Sequence, residues 1–283
     1  YNNNIGGGTI STALILGADS TFTNNDNTTQ IISGGITGTG NLILNNNSTG
    51  GLTIGTGSLN HTGTVTNSGS GAGLTTISGV IGANVGVITQ DSATSFLRLT
   101  GDNSAFASGI YIKSGTVTGA TSANAFGTAA IRLGNDSPAG PTNNAAATLV
   151  LNLGGTYAND VVLGNTSGAL TISTPNTGTG QTFTGGISGT NNLLLSNTGS
   201  QTFNISSTAS KEITINGTIT GVSTGTGGTT IGQKINSGVT GIIQNVQGAT
   251  ASTLNLTNTG NAFTGNVTLL RGNIRFGATG AWR

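Results

Sequence analysis

The phrase GGITGTGNLILNN at residues 34–46 returns as GGISGTNNLLLSN at residues 185–197. Without gaps the two agree at nine of thirteen positions: Gly34 with Gly185, Gly35 with Gly186, Ile36 with Ile187, Gly38 with Gly189, Thr39 with Thr190, Asn41 with Asn192, Leu42 with Leu193, Leu44 with Leu195 and Asn46 with Asn197. A polar-then-apolar phrase that recurs far along a chain signals a local geometry met more than once, as in a repeat architecture. A second pair of phrases says the same. Phe106 precedes Gly115 in FASGIYIKSG, and Phe263 precedes Gly272 in FTGNVTLLRG, with LTGDNSA and LTNTGNA before them. Weaker copies stand at residues 78–88 and 216–225.

The repeated unit is built of strands. Short apolar runs, such as TISTALIL (9–16), NLIL (41–44), SFLRL (95–99), GIYI (109–112), ATLVLNL (147–153), KEITI (211–215) and NVTLL (266–270), are divided by turns of Gly, Asn, Ser and Thr. That punctuation is typical of an all-β chain. Nothing carries the apolar spacing and caps of a helix. The clearest loop is NDSPAGPTNN, with Pro138 and Pro141. Gly numbers 50 of 283 residues, without the strict three-residue period of collagen. A net charge of +1 with charged residues at only 5% does not fit the usual highly charged disordered chain.

A parallel β-solenoid accommodates these features. Each coil touches only its neighbours, so copies drift in sequence while the stack survives. Alternate residues then face a common core, and Gly or Asn takes the corners. At about 20 residues per coil the chain holds roughly 14 coils, on the order of 65 Å long at the strand spacing. The structural repeat positions are Gly34, Ile36, Leu42, Leu44, Phe106, Gly115, Gly185, Ile187, Leu193, Leu195, Phe263 and Gly272. Ile110, Ile112, Val267 and Leu269 are expected to point inward.

These phrases resemble the autotransporter-associated β-strand repeat of bacterial surface-protein passenger domains. The matching segments are residues 34–44, 97–117, 125–133, 185–195 and 254–274, and the linking stretch 147–172 reads similarly. The resemblance implies a right-handed parallel β-helix, here a single rod over residues 1–283, with secretion and exposure at the bacterial cell surface.

Chemistry-bearing residues are sparse. The seven acids are Asp19, Asp26, Asp91, Asp102, Asp136, Asp160 and Glu212, none adjacent or one apart, and they are read as turn residues. Asp91 with Asp102, and Asp136 with Asp160, are the pairs that neighbouring coils would have to bring together for catalysis. His61 is the only His; without a nucleophile elbow it is read as an exposed or turn residue. GTGGTTIGQK lacks the ending of a phosphate loop. No Cys is present, which argues against disulfides and Cys-based zinc sites. No catalytic residue, cofactor or metal is expected. Nucleic acid is unexpected without clustered cations, as is a membrane span without a long apolar run.

The expected partners are other coils, from copies of the chain or flanking repeats. The chain opens on Tyr1 without Met or a secretory signal, which suggests a processed or partial chain. End contacts are expected from Ile10, Leu14, Leu16, Arg271, Arg275 and Trp282, with the two arginines four apart and on one face of a strand. The expected role is an extracellular structural solenoid that displays a surface or builds a filament. A glycan- or host-binding adhesin is the alternative, and a polysaccharide-degrading β-helix enzyme a third reading.

Overall fold

The computed structural model describes residues 2–3, 7–134, 145–175, 178–206, 210–248 and 252–277. Asp136, Pro138, Pro141, Trp282 and Arg283 lie outside them. All regular structure among these residues is strand, paired in parallel as a β-solenoid. The chain divides into two compact units, residues 1–132 and 133–283.

In the first unit each coil contributes short strands to three stacks. One runs through Ser20–Asn24, Leu42–Asn46, Gly63–Asn67, Val85–Asp91 and the start of Ile110–Gly119. A second runs through Thr9–Ile10, Gln30–Ile32, Leu52–Ile54, Thr75–Ile77 and Leu97–Leu99, and ends on residues 117–119. The third pairs Leu14–Leu16 with Ile36–Gly38 and continues as bridges through Leu59 and Ile81.

The second unit repeats this plan. Its stacks begin at Ala147–Leu151, Gly155–Tyr157 and Val161–Leu163. They reach Asn266–Arg271, Asn273–Phe276 and Lys234–Ile235 respectively. Hydrogen bonds between successive coils commonly span 22 to 24 residues in the first unit and 26 or 27 in the second. Three strands and their corners therefore need more than the 20 residues expected, so the coils are fewer than 14.

Parallel pairing in register places like residues over one another. Ile32, Ile54, Ile77 and Leu99 form one apolar column, and all are buried. Leu193, Ile219 and Ile242 form another. Burying each such side chain contributes roughly 1.5–3 kcal/mol.

The opening phrase earns its recurrence position by position. Gly34 and Gly185 each lie where a Cβ would strike a carbonyl of the preceding coil, that of Thr12 or of Asn159. Gly38 and Gly189 have φ of +94° and +118°, and a Cβ on either would meet the backbone of Leu16 or Leu163. Asn41 accepts the Thr64 N–H at 2.9 Å, as Asn192 accepts that of Thr218 at 2.8 Å. Ile36, Leu42, Leu44, Ile187, Leu193 and Leu195 are all fully buried, and the phrase ends on buried Asn46 or Asn197.

Phe106 and Phe263 are buried. The Asn ahead of each does the same work: Asn103 accepts the Ile81 N–H at 2.8 Å, and Asn261 accepts that of Ile235 at 3.0 Å. Gly115 and Gly272, with φ of +76° and +98°, turn the chain from one stack to the next. Ile110 and Ile112 are buried, but Val267 is 37% and Leu269 54% exposed. Val267 lies over buried Ile242 and Leu269 over buried Gln244. Both therefore keep the inward orientation, and their exposure arises because no further described strand pairs beyond Asn266–Arg271.

Replacing Asn103 by Ala strands a buried N–H and is expected to cost about 1–3 kcal/mol. Phe106→Ala is expected to cost about 3–5 kcal/mol. Hydrogen exchange checks both, with loss of protection centred on the strands beside the substitution, since each coil leans only on its neighbours. Unchanged protection at Ile81 in Asn103→Ala would refute the role given to the amide.

Candidate functional site

Three kinds of surface are candidates: the open edges of the stacks, the outward-facing columns, and the few titratable groups. At the edge of the first unit, Ile10, Leu14 and Leu16 gather with Phe22 around a hollow of about 390 Å³. Leu14 and Leu16 alternate with Ile15, which points outward and is 80% exposed. Ile10 begins the column continued by Ile32. In the second unit the corresponding exposed apolar side chains are Val267, Leu269, Leu270 and Phe276.

Arg271 and Arg275 do not share a strand face. Gly272 turns the chain between them, so Arg271 lies over Asn245 in one sheet and Arg275 over Asn255 in another. Counting four residues along one strand overlooked the corner. Trp282 lies outside the described residues.

The carboxylates hold local structure. Asp26 and Asp102 accept N–H groups two residues on, from Thr28 and Ser104. Asp19 accepts the Asn41 N–H at 2.8 Å, and this bond holds its carboxyl below the usual range. Asp91 faces Lys113 at 3.9 Å rather than Asp102. Asp160 meets Lys211 at 2.8 Å and Glu212 meets Lys234 at 3.3 Å. Burial alone would raise Asp160, but the bonds from Lys211 and the Gly186 N–H hold it low. The Asn236 amide and Lys234 do the same for Glu212. Among the described residues no cluster of three His, Cys, Asp or Glu side chains is arranged to hold a metal ion.

His61 departs from its sequence reading. It is fully buried, with Nε2 3.4 Å from the Thr64 carbonyl and Nδ1 without a partner. Burial lowers its pKa below 6.5, against the smaller raising effect of the Thr64 carbonyl. Composition hides such a residue, because no local pattern separates a buried corner from an exposed one.

Outward on the second unit lies a polar groove of about 300 Å³ along the stack that contains Thr229–Ile231, Thr253–Leu256 and Asn273–Phe276. Strand alternation sends Thr230, Asn255 and Arg275 outward in one column. Thr202, Gly228 and Thr253 form the column beside it, where Gly228 carries no side chain and a Cβ would stand 2.9 Å from the Thr253 carbonyl oxygen. The sequence reading missed this site, since its residues come from separate coils.

The buried His61 sets a pH dependence. A depressed folded pKa lets the unfolded chain bind the proton first. Stability from neutral His61 is thus complete above pH 6.5 and falls as pH drops from there through the lowered folded value. Urea midpoints across this window are expected to fall more steeply in the wild type than in His61→Gln; parallel curves would refute it. No family model matches the chain, and no curated protein and no solved structure matches it.

Proposed function

We propose that this chain is a structural β-solenoid of the bacterial cell surface, related to autotransporter passenger repeats, and that it associates with further copies of itself through its strand edges. The observation that carries this reading is the pair of apolar strand edges, Ile10, Leu14 and Leu16 in one unit and Val267, Leu269 and Phe276 in the other. Each edge offers inward-facing side chains on strands that, among the described residues, pair on one side only, a template for a further parallel strand. The occupant that matches such a template best is a coil of the same kind, because it continues both the hydrogen-bond ladder and the apolar columns. The proposed role is non-catalytic: the described carboxylates hold turns and neighbouring coils together. The extracellular placement rests on the family resemblance of the repeated phrases.

Analytical ultracentrifugation tests the association. The wild-type chain is expected to sediment as species that grow with concentration, whereas Leu269→Glu, which charges one edge, stays monomeric. A wild-type chain that remains monomeric throughout, or a variant that associates equally well, would overturn the reading.

A further inference from the structure

We propose that the outward groove of the second unit binds a carboxylate-bearing sugar residue of an acidic polysaccharide, a hexuronate, with Arg275 taking the carboxylate. This site is separate from the stacking contact: an added coil covers a strand edge, while these side chains point away from the core.

Hydroxyl spacing is the first argument. Outward positions two apart on a strand and one coil apart form a grid of roughly 5 by 7 Å, the scale of one pyranose ring. Thr202, Thr226, Thr230 and Thr253 line the groove together with Gly228. Their hydroxyls make no hydrogen bond to another described residue. At some other positions hydroxyls are tied to the adjacent coil, as Thr64 is to Asn41 at 2.8 Å and Ser48 to Asn27 at 2.8 Å. The groove hydroxyls thus stay available to donate to and accept from a polyol.

Charge is the second argument. The described carboxylates of this unit, Asp160 and Glu212, are each held by a lysine. Arg275 has no ion pair with a described residue, is exposed, and stands in the groove wall beside Asn255. A planar guanidinium meets a carboxylate through two parallel N–H donors, a geometry lysine cannot supply. A neutral sugar would leave that fork unused, and a simple anion would leave the row of hydroxyls unused. A hexuronate uses both.

Trigalacturonate titrated into the full chain, followed by calorimetry and by amide NMR shifts, tests the proposal. Galactotriose serves as the neutral comparator. Saturable binding of trigalacturonate is expected, with shifts centred on Thr230, Thr253 and Arg275, and weaker binding of galactotriose. Arg275→Gln should weaken binding about tenfold or more, by loss of a charge-assisted pair. Arg275→Lys should weaken it too, and so should Thr230→Val combined with Thr253→Val, which keeps the strand's shape. Arg271→Gln removes the same charge from another sheet and should leave affinity unchanged. Absent saturation, equal binding of the neutral sugar, wild-type affinity in Arg275→Lys, or equal losses in Arg271→Gln and Arg275→Gln would each overturn it. Stacking is read by sedimentation and sugar binding by titration, so either result can fail without the other.

Discussion

The backbone ladder between successive coils is the constraint on which everything else in this protein depends. A parallel strand must place its N–H and C=O groups against those of the coil before it, and a one-residue slip would send every inward side chain to the surface. Register therefore dictates residue type. Leu42, Val65, Ile88 and Ile110 follow one another through the same wall, and Val161, Ile187, Ile213 and Ile235 through another. The ladder also limits the corners, because backbone approaches backbone closely there and a Cβ at Gly38 or Gly189 has no room.

Corners create a second problem, which the side-chain amides solve. A turn within a solenoid leaves carbonyls and N–H groups that no strand pairs, and each is costly if buried alone. Asn24 donates to the carbonyls of Thr28 and Gly51, Asn197 to those of Gln201 and Gly228. Gln90 serves Ser92 and Ser95, and Gln244 serves Ser252. The amides sit inside the fold beside the apolar columns. Their burial explains why a chain so rich in Asn holds a defined shape: part of its polar content is internal scaffolding.

A solenoid separates two surfaces by direction. Backbone groups along a strand edge face the next coil, while side chains point alternately into the core and out to solvent. The proposed stacking and the proposed ligand recognition thus draw on different groups, and neither need disturb the other. In the second unit the edge carries Val267 and Leu269, while the outward wall carries threonines and Arg275. The same division lets the outward residues change without loss of the core, the usual freedom of repeat proteins.

The fold class was legible in the sequence because its signals are local: alternation along short runs, turn residues between them, and a phrase that returns. Phe106 and Phe263, with their glycines at 115 and 272, were visible for the same reason. Local signals did not show that a corner at Gly272 parts Arg271 from Arg275, that His61 is buried, or that Asn103 and Asn261 cap the N–H of a residue in the previous coil. Nor did they show that Thr202, Thr230, Thr253 and Arg275 line one groove. The sequence by itself determined that strands would stack and which of their faces is apolar, since both follow from neighbours along the chain. Only the tertiary structure decided which residues from different coils meet, because a coil spacing varying between 20 and 27 residues sets that register through corners whose lengths no repeat phrase records.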